Sequence, residues 1–181
     1  MSKKYKFNDP EGYNFITNTV IHWIDIFTRV EYCSTVVNCM NHSIQNNGLC
    51  VHAWVIMPSH FHAIVSTTNL PLEKCMQGIK SYSSRQIIKE INQINESRSE
   101  WLLNAFHKAA VKNKRGSNYI VWQDGSHPLE LTSNREIEQR IDYIHQNPVV
   151  AGYVEEPEHW VYSSARDYSG FKGLIEIELL N

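Results

Sequence analysis

The chain has no apolar run approaching the roughly 20 residues a membrane-spanning helix needs. Its first residues, Met1-Ser2-Lys3-Lys4-Tyr5-Lys6, are basic, but no apolar stretch of the signal-peptide kind follows. The expectation is a soluble, cytoplasmic protein without a membrane partner. Cysteine is sparse and unpaired in pattern. Cys33, Cys39, Cys50 and Cys75 form no CxxC motif, which suits reduced thiols packed as small apolar groups. An excess of positive charge is also missing, since 17 Lys and Arg face 19 Asp and Glu for a net charge of -2. Any nucleic-acid binding must therefore use a local basic patch and not the whole surface. Internal repeats, low-complexity segments and linkers are absent, so the 181 residues are expected to form one domain, 1–181, large enough to bury a core.

What is present begins with His60-Phe61-His62, set in Ala53-Trp54-Val55-Ile56-Met57-Pro58-Ser59-His60-Phe61-His62-Ala63-Ile64-Val65. The density of Val, Ile and Trp predicts strands over 49–57 and 60–66, with Pro58-Ser59 in the turn between them. Side chains alternate on a strand, so His60 and His62 share a face and Phe61 takes the other. At about 7 Å between their Cα atoms, two such imidazoles can reach one metal ion. The pair by itself admits two readings, a metal site or two solvent-facing residues, because no third ligand lies nearby in sequence.

The remaining pattern predicts a mixed α and β chain. Tyr13 to Trp23 has the aromatic and β-branched content of a first strand. Val36, Val37, Met40 and Ile44 give a helix over 32–45, stopped by Asn46-Asn47-Gly48. A long helix is expected over 71–94, with Arg85 and Lys89 one turn apart on it. A short packed helix around Trp101 to Phe106 leads into the most basic stretch of the chain, Lys108, Lys112, Lys114 and Arg115. Each of these cations fits a solvated face, and together they are the local candidates for DNA phosphate contacts. Tyr119 to Gln123 is expected as the fourth strand and Ile175 to Leu180 as an edge strand.

Ser133 and Glu136 form a capping-box pattern that opens a helix over 133–146. Ile137, Ile141 and Ile144 make its apolar stripe, and Pro148 is expected to end it. Tyr143 lies about 120° off that stripe, with Asn147 one turn further along the same side. The two form either a working face or a helix edge followed by a helix-ending amide. His145 points about 200° away from Tyr143 and is left out of the candidate site.

Four blocks resemble a known family: Ala53-Trp54-Val55-Ile56-Met57-Pro58 running into His60-Phe61-His62; Val121-Trp122-Gln123; Asp142-Tyr143-Ile144-His145-Gln146-Asn147-Pro148-Val149; and Ala151-Gly152 through Trp160 to Ser163-Ser164. Their order and spacing over roughly residues 10–170 resemble the single-tyrosine HUH transposases, in the REP-associated tyrosine transposase branch. The histidine triplet is weakly specific. Followed about eighty residues later by Tyr-Ile-His-x-Asn-Pro, it is strongly so.

The resemblance implies a ferredoxin-like α+β fold with helices packed on a central antiparallel sheet. It implies that His60, His62 and Asn147 bind a divalent metal, Mg or Mn, and that Tyr143 is the nucleophile. The expected reaction is cleavage and rejoining of single-stranded DNA at hairpin-flanked sites through a 5′-phosphotyrosine link, by a monomer or homodimer. The alternative is a domesticated protein that binds DNA hairpins without cutting them. A histidine-triad phosphohydrolase would need a third alternating His where Ile64 stands, and a 2-His-1-carboxylate iron enzyme would need an acidic residue soon after His62.

Overall fold

Alternation of side chains along three strands decides what each face of the sheet becomes. The structure, a computed structural model, describes residues 12–113, 116–125 and 128–180. β1 (Tyr13–Thr19), β2 (Leu49–Met57) and β3 (His60–Thr67) pair antiparallel, and β4 (Leu129–Leu131) pairs with β1. The sheet order is β2-β3-β1-β4. With α1 (Val30–Asn47) between β1 and β2, and α2 (Leu72–Gln93) after β3, this is the ferredoxin-like βαββαβ arrangement. α3 (Ser99–Lys112) is added before β4, and α4 (Asn134–Val150) follows it.

One face of the sheet is mostly apolar, with Asn14 and Asn18 of β1 buried among its side chains. Ile16 of β1, Trp54 and Ile56 of β2, and Phe61, Ala63 and Val65 of β3 join the large core beneath α1, α2 and α3. The opposite face carries Phe15, Ala53, Val55, Met57 and Ile64, which pack with Ile141 and Ile144 of α4. A bulge between Val51 and Ala53 keeps β2 in register with this division. α1 ends at Gly48, whose φ of 71° is left-handed, and a Cβ there would come within 2.7 Å of Asn69 Cβ. Only glycine satisfies both constraints.

β2 is an edge strand, and the tail covers it. Ile56 N donates to Tyr162 O (2.9 Å), Ser164 N to Trp54 O (3.0 Å) and Trp160 Nε1 to Ile56 O (2.9 Å). His145 Nε2 meets Ser164 Oγ at 2.9 Å, so the imidazole fastens α4 to this cover and stays away from the candidate site, as expected.

Four boundaries differ from expectation, the first being β1, which stops at Thr19 and does not run to Trp23. The fourth strand is Leu129–Leu131, not Tyr119 to Gln123. Ile120, Val121 and Trp122 are instead buried in the core, and their link to the sheet end is the isolated bridge Val20↔Trp122. Pro148 does not end α4, which runs on to Val150. It falls in the last turn, where its missing N–H removes one bond and Ala151 N still reaches Asn147 O at 3.0 Å. Residues 175–180 form no strand, although Glu178 N donates to Val51 O at 2.9 Å.

Candidate active site

β3 begins at the tight turn Pro58-Ser59, which brings His60 and His62 onto the face that α4 partly covers. Their ring centroids are 4.8 Å apart. The antiparallel register sets Thr17 and Val55 on either side of His62, and Thr19 and Met57 on either side of His60. His62 is buried, stacked on Phe15 at 5.3 Å.

Hydrogen bonding divides the two nitrogens of His62. Nδ1 meets Thr17 Oγ1 at 2.8 Å, while Nε2 is buried with no hydrogen-bond partner. An unsatisfied buried imidazole nitrogen is costly and calls for an explanation. His60 is arranged alike at Nδ1, which lies 3.1 Å from Ser59 Oγ. Fixing Nδ1 by a hydroxyl is the device that holds a metal-binding imidazole with Nε2 as the ligand atom. Burial, together with the charges of His60 and Arg140, lowers the pKa of His62 to about 3. Burial also lowers that of His60. Both rings are thereby kept neutral, the state in which an imidazole can ligate.

The capping box is present. Ser133 Oγ accepts from Glu136 N at 3.4 Å, and Ser133 N donates to Glu136 Oε2 at 3.2 Å. The helix it starts seats Ile141 and Ile144 on the sheet, and this rotation turns Tyr143 toward the histidines. The Tyr143 ring stands edge-on to His62 at 5.3 Å and to Phe15 at 6.0 Å, yet is 45% exposed. A phenol here is reachable from solvent while held over the buried imidazole of its own chain. Asn147 Nδ2 donates to Tyr143 O at 3.1 Å, which leaves Oδ1 as its ligand-type atom. Among the described residues, no group of three or more His, Cys, Asp or Glu side chains is disposed to hold a metal. A third protein ligand would therefore be of another type, such as an amide oxygen.

Not every predicted residue gathers here. Arg85 and Lys89 are exposed on α2, and Lys108 and Lys112 on α3. Both helices pack into the core on the opposite face of the sheet, so these four lie away from His60 and His62. Lys114 and Arg115 lie outside the described residues.

Several neighbours were not foreseen, Phe15 and Ser59 among them. The Arg140 guanidinium lies 4.8 Å from the Phe15 centroid and 5.8 Å from that of Tyr143. Its place three residues before Tyr143 was a usable signal, because such pairs meet on a helix. Thr17 was findable only through strand register. Trp23 lies edge-on to His60 at 5.5 Å, with no local signal to announce it.

Residues 25–103, a stretch short of half the chain, match the family described as transposase, IS200-like. A Haemophilus influenzae protein provisionally named as a REP-associated tyrosine transposase is 23% identical over 128 residues, which are 70% of this chain and 61% of that protein. The Escherichia coli REP-associated tyrosine transposase is 25% identical over 157 residues, 83% of this chain and 76% of that one. The chain thus spans about three fifths of the first relative's length. The solved structure of a REP-associated tyrosine transposase bound to a REP hairpin superposes with a TM-score of 0.66 at 16% identity, covering 98% of this chain and 92% of that one. At that identity the match concerns the fold, which is the same α+β arrangement of antiparallel sheet and packed helices. The resemblance read from the sequence to REP-associated tyrosine transposases is borne out.

Proposed function

We propose that this chain, acting as a single domain, cleaves and rejoins single-stranded DNA beside a hairpin, with Tyr143 as the nucleophile. The observation that carries the reading is the convergence of His60, His62 and Tyr143 around a buried, unpartnered imidazole nitrogen. The transposase relatives, one of them bound to a REP hairpin, support DNA as the substrate.

His60, His62 and Asn147 are the residues that would hold a divalent cation, Mg or Mn. Such an ion, when bound, would neutralise charge developing on a scissile phosphate. The phenol oxygen of Tyr143 attacks phosphorus, and the bond from phosphorus to the 3′ oxygen breaks. The phenol proton is lost, the departing 3′ oxygen takes up a proton, and the 5′ phosphate stays on Tyr143. Because the phosphodiester energy is kept in that link, a 3′-OH can reverse the step and join strands. Arg140, beside the Tyr143 ring, presents a cation to the anionic backbone as it arrives. Thr17 and Ser59 keep the imidazoles aimed.

The test incubates the protein with single-stranded DNA hairpins and Mn, then resolves the products on a denaturing gel. A covalent protein–DNA band is expected with the native chain and not with Tyr143→Phe. Hairpin binding without any such band would instead support the non-cleaving alternative.

A further inference from the structure

After β1 the chain turns sharply through Val20 to Thr28, and this turn is held at many points. Val20 N donates to Ser59 O, Ile21 N to Val121 O and Phe27 N to Pro58 O, each at 2.9 Å. Ile21, Ile24, Ile26 and Phe27 are buried. Asp25 pairs with Arg98 at 2.8 Å, and Arg29 with the buried Glu96 at 3.1 Å. Burial raises the Glu96 carboxyl, but the Arg98 N–H and the Arg29 guanidinium outweigh it and hold it charged.

Inside this well-anchored turn, two consecutive residues are left-handed and neither is glycine. His22 has φ 54° and Trp23 has φ 56°. Such conformations are unfavourable for side chains with a Cβ and persist where the surroundings over-determine them. Here the strain places a large indole 61% exposed to solvent, beside His60. A buried fold gains nothing from that exposure. The turn spends backbone strain on presenting an aromatic surface at the mouth of the candidate site.

We infer that Trp23 is a stacking platform for an unpaired nucleobase next to the phosphate that His60, His62 and Tyr143 address. This rests on the function proposed above and specifies part of its substrate contact. An indole face accepts any base, because every base has a π-face, so the contact selects single strand over duplex and not one sequence over another. It also requires a base that is not already stacked in a helix, which fits cleavage in the flank of a hairpin. The pairing of Trp23 with His60 sets the position, since the base on Trp23 would be adjacent to the backbone at the imidazoles.

The experiment measures equilibrium binding of fluorescein-labelled DNA hairpins, one with an unpaired thymidine flank and one blunt. All proteins carry Tyr143→Phe, so no covalent step enters. The parent is expected to prefer the flanked hairpin. Trp23→Ala should weaken binding of that hairpin by about 5- to 150-fold while leaving the blunt one unchanged. Trp23→Phe should retain most of the preference. Circular dichroism checks that the variants fold, as expected for so exposed a side chain. A Trp23→Ala protein that keeps the full flank preference overturns the inference, and so does a parent that binds both hairpins equally. The covalent band described above tests the proposed reaction separately. If that band is missing while Trp23→Ala loses flank binding, the reaction fails and the stacking role stands.

Discussion

The two faces of the sheet come from the same three strands and obey opposite rules. Beneath α1 and α2, Ile16, Trp54, Ile56, Phe61 and Val65 are buried among apolar neighbours. On the other face, His62, next to Phe61 in sequence, has an imidazole nitrogen without a partner, and α4 brings to it a tyrosine 45% exposed and an arginine lying on aromatic rings. Phe61 and His62 are adjacent in sequence and serve different ends. Both faces bury a ring nitrogen without a hydrogen bond, Trp54 Nε1 on one and His62 Nε2 on the other, but only His62 stands beside a second histidine and an exposed tyrosine, and that grouping marks its face as the site.

A second pair of histidines sharpens the point. His52 is as buried as His62, but both of its nitrogens are used, with Nδ1 on Glu178 O (3.1 Å) and Nε2 on Ser66 Oγ (2.9 Å). Burial alone does not distinguish a structural histidine from a candidate ligand. The orphaned Nε2 of His62 does.

This contrast predicts a separation of stability from activity. Tyr143→Phe should abolish covalent DNA linkage while changing the unfolding free energy by less than about 0.5 kcal/mol, since its ring stays in place and its environment is exposed. Parallel gel and denaturant titrations check this. Phe61→Ala, on the core face, should cost about 3–5 kcal/mol of stability by opening a cavity, measured as a lowered denaturant midpoint. If Phe61→Ala were harmless, the two faces would not differ as described.

Removing the hydroxyl that orients His62 comes next in size. Thr17→Val keeps the shape but loses the 2.8 Å contact to Nδ1. Titration with Mn by calorimetry should then show roughly 10- to 100-fold weaker binding, with little loss of stability.

The smallest effect concerns His52. Burial lowers its pKa in the folded chain. Below pH 6.5 the unfolded chain then binds a proton that the folded chain refuses, so stability falls as the solution is acidified. The slope from this group is at most about 1.4 kcal/mol per pH unit. Urea unfolding at pH 7 and pH 5.5 should show a smaller acid loss for His52→Gln than for the native chain.

Much of this was legible in the sequence where local physics decides. Alternation gave β2 and β3, Gly48 ended α1, and the Ser133–Glu136 box started α4 and so fixed which way Tyr143 faces. The misreadings arose where tertiary context overrides local pattern. Tyr119 to Gln123 has strand-like content but is buried without a ladder, whereas Leu129-Glu130-Leu131 is too short to stand out and is recruited by β1. Thr17 and Phe15 reach His62 only through cross-strand register, which sequence spacing does not reveal. Trp23 was absorbed into a predicted strand because nothing local forecasts two left-handed residues. The basic residues on α2 and α3 were grouped by charge alone, and packing sends them to the other side of the sheet.

The central claim is that Tyr143, held over His62, forms the bond to DNA. Among the described residues, three tyrosines are well exposed: Tyr82 at 57%, Tyr153 at 52% and Tyr143 at 45%. Exposure alone would rank Tyr143 last of the three, and the site geometry ranks it first. Trapping the covalent product with a single-stranded hairpin, digesting both components and fragmenting the linked peptide by mass spectrometry locates the nucleotide remnant. The peptide from Ile141 to Arg166 also contains Tyr153 and Tyr162, so the fragment ions must resolve the residue. A 5′-phosphate remnant on Tyr143 is the predicted result. A remnant on Tyr82, Tyr153 or any other tyrosine would contradict the account.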